Sequence, residues 1–238
     1  MADVRKQNRS EEIVTSIRNR IFNGDLLPGT RLIEQDIAGE FNMSRGPVRE
    51  ALKELEYEGL VVSEVNKGCM VAPLTGEDAY EIFYLRGSLE KMALEICGGK
   101  LPESNILVMR NIIDDMRNEE SGINNMKVKI DYDERFHEEI MKACKMKRLY
   151  ELWKSLSPLN GAMFMKIEEY YRIREEEAVR NSSESPGKNR KKLWYAHQNI
   201  LDVIEGGNLK ESLKIIEDHY QNTGIMIFRW EKRMEEQR

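Results

Sequence analysis

The stretch Asn42–Gly59, NMSRGPVREALKELEYEG, reads as a short helix with three distinct faces. Ser44 is placed to cap it, and Pro47 falls at the third helical position, where the missing N–H would have had no intrahelical partner anyway. Gly59 suits a left-handed C-terminal stop. Wound at about 100° per residue, the residues sort into stripes. Val48, Ala51, Leu52 and Leu55 make an apolar stripe, and Glu50, Glu54 and Glu58 an acidic one. Arg45, Arg49 and Lys53 make a third that is purely basic. A helix fixed by its apolar side, with arginines in its first two turns, has the shape of a DNA-recognition helix. An ordinary surface helix with i,i+4 charge pairs could carry the same residues, and the stretch alone would favour that blander reading.

The flanking segments shift the balance. Upstream, Glu34–Phe41 predicts a second short helix that packs Ile37, Ala38 and Phe41, and Asn42-Met43 turns tightly into the next. Two short helices joined in this way are a helix-turn-helix. Further upstream, Ser10 is expected to cap a helix with Ile13, Ile17 and Ile21 on one face. Asn23-Gly24-Asp25 should end it, and Leu27-Pro28-Gly29 should turn the chain. After Gly59 the period changes. LVVSEV and CMVAP flank Asn66-Lys67-Gly68, which reads as a β-hairpin. Together these elements predict a winged helix-turn-helix over residues 1–74.

With 238 residues the chain is long enough for two domains. Hydrophobic residues at 40% and charged residues at 33% describe a soluble protein. No run approaches the roughly 18 apolar residues of a membrane span, so no membrane partner is expected. The opening MADVRKQNRSEEIV lacks the apolar core of a signal peptide. Three widely spaced cysteines (Cys69, Cys97 and Cys144) argue for reduced thiols in a cytoplasm rather than a disulfide framework. Net charge is −5, and residues 1–74 hold ten Lys/Arg against twelve Asp/Glu. DNA binding must therefore rest on a local basic face, with the acids turned away, and should weaken steeply with salt.

The run RLIEQDIAGEFNMSRGPVREALKELEYEGLVVSEVNKGCMVAP closely resembles the DNA-binding domain of the GntR family of bacterial transcription regulators. The resemblance covers about the first third of the chain, and SRGPVREAL…L…EGLV is its specific core. It implies that Ser44, Arg45, Gly46 and Arg49 face a double-stranded DNA operator; Lys53, on the same basic stripe, and Arg31 join them as candidate DNA-binding residues. The wing around Lys67 and Gly68 would reach the minor groove. The sequence departs from the family at Gln35, where relatives often carry Arg.

After Pro73 the pattern is helical throughout, which predicts an all-α antiparallel bundle over residues 75–238. Thr75 and Asp78 have the spacing of a capping box at the start of a helix that stops at Gly98-Gly99. Pro102-Glu103-Ser104 opens another, ending at Ser121-Gly122. Further helices are expected over 126–145, 147–178, 191–205 and 209–235, with NSSESPGKNRKK as a loop.

The chain has three histidines, each on an apolar helix face. Asp133, Phe136, His137, Ile140 and Cys144 fall within about 100° on the helical wheel. His197 lies among Leu193, Ala196, Ile200 and Ile204, and His219 shares its face with Ile215, Ile216 and Met226. One buried histidine is usually a satisfied core residue. Three of them, with a carboxylate one turn before His137, suit a divalent metal in a bundle core.

These residues carry a second resemblance. Asp-x-x-Phe-His at Asp133 to His137, and AHQNILDVIEGGNLKESLKIIEDHY, resemble the FCD effector domain of the FadR branch of the same family. In metal-containing members one Asp and three His bind the ion, which implies Asp133, His137, His197 and His219 as ligands here. Fatty acyl-CoA-binding members lack that set, so its presence implies a small carboxylate as effector. Arg86 occupies the Arg-x-x-x-Glu position of the first effector-domain helix, where it would either meet the ligand's carboxylate or simply pair with Glu90. The i,i+4 pair is the preferred reading.

The sequence thus predicts a mainly α, ligand-responsive regulator that acts as a homodimer on a near-palindromic operator and is not an enzyme. Its divalent metal would be zinc, nickel, manganese or iron. A metal-responsive regulator without an organic effector is the main alternative, and a metalloenzyme carrying a winged helix ranks below it.

Overall fold

The computed structural model describes residues 2–64, 68–119, 126–180 and 193–236, with side chains described from Arg9 onward and up to Glu177 in the long helix before residue 181. The hairpin tip with Lys67, the helix end at Ser121-Gly122 and the loop NSSESPGKNRKK lie outside the described residues. The chain divides into two compact units, Met1–Leu74 and Thr75–Arg238.

The first unit contains α1 (Ala2–Phe22), β1 (Arg31–Leu32), α2 (Glu34–Glu40), α3 (Arg45–Tyr57), β2 (Val61–Glu64) and β3 (Gly68–Val71). Ile13, Ile17 and Ile21 of α1 are buried with Val48, Ala51 and Leu55 of α3. Ser10 does not cap α1. The helix begins eight residues earlier, at Ala2, and Ser10 is a buried interior residue. Arg5, Lys6 and Gln7 are good helix formers, so nothing stops the helix from propagating past it.

Helix α3 follows its local signals closely. Ser44 is the N-cap residue, although its side chain makes no capping hydrogen bond. At the other end Gly59 adopts φ +76°. Its N–H donates to the Glu56 carbonyl at 3.0 Å, and the Leu60 N–H donates to the Leu55 carbonyl at 3.0 Å. That pair of bonds is a Schellman motif, which satisfies two orphan carbonyls and aims the chain into β2. β2 and β3 pair antiparallel, Val61 opposite Val71 and Glu64 opposite Gly68. A two-residue strand, β1, adds to the far edge of β3 and was not foreseen from the sequence.

Among the described residues, every regular element of the second unit is a helix: α4 (Gly76–Ile96), α5 (Glu103–Glu119), α6 (Met126–Ala143), α7 (Lys147–Ser155), α8 (Ser157–Arg180), α9 (Leu193–Glu205) and α10 (Leu209–Glu236). Thr75 and Asp78 form the complete capping box. The single helix expected over 147–178 breaks at Leu156, because Pro158 has no N–H to continue α7 and its ring opposes the preceding turn. Proline is tolerated there only as part of the first turn of a new helix.

α4 and α10 run antiparallel in close contact. Gly76 lies against Phe228, Gly87 against Tyr220, and Gly224 against Tyr80. At the bottom of this pair Gly99 has φ +78°, and a Cβ there would sit 2.7 Å from the Leu209 Cα. Gly99→Ala should therefore lower stability by about 3 kcal/mol, the upper end for overpacking, since backbone cannot swing aside. A denaturant midpoint unchanged from wild type would contradict that packing. No described helix is long and apolar enough to cross a membrane.

Candidate metal centre and nucleic-acid interface

In the second unit, α6, α9 and α10 bring Asp133, His137, His197 and His219 together. One ligand atom from each lies within 4.8 Å of every other. The i,i+4 spacing of Asp133 and His137 puts both on the same face of α6, and the apolar stripes of α9 and α10 carry the other two histidines inward. His137 and His197 are fully buried and Asp133 nearly so.

The proton inventory shows what this cluster can hold. His197 Nδ1 is 2.8 Å from the Leu193 carbonyl, which can only accept, so Nδ1 carries the proton. In neutral imidazole that leaves a lone pair on Nε2, and Nε2 lies 3.2 Å from Asp133 Oδ1. His137 repeats the arrangement. Its Nδ1 is 2.8 Å from Glu90 Oε2, while its buried Nε2 has no hydrogen-bond partner and stands 3.7 Å from Asp133 Oδ1. Lone pairs aimed at a carboxylate in a buried cluster repel unless a cation lies between them. A proton can fill that role for one pair, and a divalent ion can fill it for all four residues at once. The donor set, three imidazole nitrogens and one carboxylate oxygen, fits such an ion.

Electrostatics show how strongly the cluster calls for positive charge. Burial disfavours the charged Asp133 carboxylate, yet a proton between it and His197 Nε2, and positive charge on the neighbouring imidazoles, hold its pKa well below the usual range, the stabilisation that a cation at this point would also supply. Burial, reinforced by His137 and His197, pushes His219 well below an ordinary imidazole, which keeps its lone pair free. Burial also works against a proton on His137, but Glu90 outweighs it and raises that pKa.

Asp133 and His219 line a cavity of about 450 Å³. Its walls include Phe83, Tyr132, Phe164 and Trp194, and its basic lining residue is Lys129, which lies 3.4 Å from Glu168. Lys129, Asp133 and His137 form one i,i+4 row on α6, a signal for Lys129 that the sequence reading passed over.

Arg86 is placed differently from its preferred reading. It is fully buried, but it ion-pairs with Glu134 at 3.0 Å rather than with Glu90, and it stacks over Trp153 at 4.1 Å. It is not among the residues that line the cavity. Glu90, the i+4 partner that the spacing offers, instead accepts from Trp153 and Tyr220 and stands 2.8 Å from His137 Nδ1.

In the first unit Arg45, Arg49 and Lys53 are all exposed on one side of α3, flanking its buried stripe. Arg45 donates to Gln35 Oε1 at 2.9 Å, and Arg49 Nε meets both Glu34 oxygens at 2.9 Å. Ser44 and Gly46 are exposed beside them, Arg31 is exposed on β1, and Gly68 opens β3. Lys67 lies outside the described residues.

A winged helix-turn-helix joined to a helical domain is the build of a bacterial DNA-binding regulator. The profile of bacterial regulatory proteins of the gntR family matches residues 9–71, and that of the FCD domain matches residues 81–222. The chain belongs to the GntR family of transcription regulators, with an FCD domain as its second unit. It is 31% identical over 104 residues to the HTH-type regulator YdhC of Bacillus subtilis (strain 168), covering 44% of this chain and 46% of that protein. It is 28% identical over 209 residues to the gluconate operon transcriptional repressor of Bacillus licheniformis, covering 80% and 82%. The chain thus spans less than half the length of the first relative and most of the second. A crystal structure of a GntR regulator from Rhodococcus sp. RHA1 has the same fold, with TM-score 0.70 and 20% identity over 92% of this chain and 97% of that one.

Proposed function

We propose that this regulator is controlled through a divalent metal held by Asp133, His137, His197 and His219, and that a small carboxylate is its effector. The observation that carries this reading is the pair of committed imidazoles. With both Nδ1 atoms bound elsewhere, the buried Nε2 atoms of His137 and His197 face an anionic oxygen. When bound, the ion supplies a Lewis-acidic anchor for an anion entering from the cavity. The chain supplies the rest: aromatic walls that exclude water and the Lys129 ammonium, which would receive a second anionic end.

DNA binding would use Arg45, Arg49 and Lys53 in the major groove, with Arg31, Ser44, Gly46, Lys67 and Gly68 around them. A homodimer would place two such helices on a near-palindromic operator. The effector can act only through differential affinity for two arrangements of that dimer, since equal binding to both would shift nothing.

Titrating carboxylates against labelled operator, with and without chelator, tests the scheme. Gluconate is the first acid to try, given the operon that the Bacillus relatives repress. An acid that shifts operator affinity about 5- to 150-fold, only when metal is present, is the expected result. Coupling is reciprocal, so operator must shift the acid's affinity by the same factor. Lys129→Met should weaken acid binding by about tenfold or more, the loss of one charged hydrogen bond. Metal-dependent consumption of the acid, with operator affinity indifferent to it, would make the domain an enzyme instead.

A further inference from the structure

His137 can be a ligand through Nε2 only if its proton sits on Nδ1. Nothing within α6 decides that. The deciding group comes from α4, where Glu90 is fully buried. Its Oε1 accepts from two donors, the Trp153 indole N–H at 2.8 Å and the Tyr220 hydroxyl at 2.7 Å. Indole nitrogen can only donate, so Oε1 is held as an acceptor and the carboxylate cannot rotate to exchange roles. That leaves Oε2 facing His137 Nδ1 at 2.8 Å. With Oε1 accepting from two donors, Glu90 is held as a carboxylate whose oxygens only accept, so the proton between Oε2 and Nδ1 belongs to nitrogen.

We propose that Glu90 is the positioning residue of the metal centre, fixing His137 in the tautomer whose Nε2 lone pair faces Asp133, His197 and His219. The inference rests on the metal reading above, but it makes a claim about the metal-free protein that can fail separately. Trp153 and Tyr220 belong to the device as well, because they lock Glu90 in one orientation from α7 and α10.

The conservative variant Glu90→Gln makes the prediction sharp. Its amide oxygen must accept from Trp153 and Tyr220, because the amide NH₂ would oppose the indole N–H. The NH₂ then faces His137 Nδ1 and can be satisfied only if Nδ1 is the acceptor. The proton moves to Nε2, which becomes a donor towards Asp133 and loses its lone pair. Every hydrogen bond around residue 90 is kept in this arrangement, so the fold should survive while one ligand is removed.

The test has two readouts on the full-length protein. Nitrogen-15 NMR of the imidazoles in metal-free protein in alkaline buffer should show the Nδ1–H tautomer at His137 in wild type and the Nε2–H tautomer in Glu90→Gln. The His137→Ala spectrum assigns the signals, which only three histidines can contribute. Zinc titration should give an affinity about 10- to 100-fold weaker for Glu90→Gln, the usual loss when a group behind a ligand is changed. An Nε2–H tautomer in wild type overturns the proposal even if the variant does not fold. So does wild-type zinc affinity in Glu90→Gln. If wild type binds no zinc while its tautomers are as described, the metal reading fails and Glu90 still sets the His137 tautomer.

Discussion

Asp133→Ala, His137→Ala, His197→Ala and His219→Ala should each abolish stoichiometric metal, and chelation should melt the wild-type FCD domain earlier. The size follows from linkage. An ion that binds only the native state stabilises it by RT ln(1 + [L]/Kd), which is about 4 kcal/mol when free metal is 1,000 times Kd. For a domain of this size each kcal/mol moves the midpoint by about 2–4 °C, so the transition should fall by roughly 8–16 °C in chelator. The shift belongs to the second unit alone, and the winged-helix transition should stay put. Protons compete for the same lone pairs. Because Glu90 raises the His137 pKa, apparent metal affinity should begin to drop at a pH above the ordinary imidazole value of about 6.5. Elemental analysis that finds no metal, together with melting indifferent to chelator, would reduce the cluster to core histidines.

What sequence could and could not reveal follows from the range of each signal. Ser44, Pro47 and Gly59 are local punctuation around one helical period, so α3 was legible to within a residue of its ends. Ser10 carried the same local signal and misled, because a cap residue starts a helix only where the preceding residues fail to continue it. Strand β1 is two residues long, too short to show any period. The meeting of the three histidines with Asp133 was legible because each sits on an apolar stripe and such stripes converge in a bundle. The role of Glu90 was not. Spacing offered Arg86 as its partner at i−4, whereas the real assignments, Glu90 to His137 and Arg86 to Glu134, join residues 47 and 48 positions apart. Only the packing of α4 against α6 decides between those pairings. Lys129 was missed for another reason: its place in the Asp133–His137 row was visible, but the cavity that makes the row matter was not.

The recognition helix gives the other large effect. Arg45→Ala should cost about 1–3 kcal/mol per half-site if the guanidinium makes a bidentate base contact. A homodimer on a near-palindrome loses that twice, about 2–6 kcal/mol, or roughly 30-fold to more than 10⁴-fold in operator affinity. Sequence preference should relax at the contacted base pair in both half-sites. Lys53, lower on the same stripe and exposed, has the compact ammonium of a phosphate contact. Lys53→Ala should weaken specific and random DNA alike and flatten the log K against log salt slope by about 1.8, one phosphate per protomer. The contacts seen without DNA make the two arginines distinct. Arg49 is held by the Glu34 carboxylate and Arg45 by the neutral Gln35 amide, both pairs at the exposed start of α2. An exposed ion pair is worth only about 0–1 kcal/mol, so Glu34 can give up Arg49 to a phosphate at little expense. Its negative charge nevertheless repels the backbone in the absence of that exchange. Glu34→Gln should therefore tighten binding to random DNA more than to operator, narrowing the ratio between them. Electrophoretic or fluorescence titration across a salt series measures all three variants. Operator affinity of Arg45→Ala equal to wild type would remove α3 as the reading helix, whatever the other two variants show.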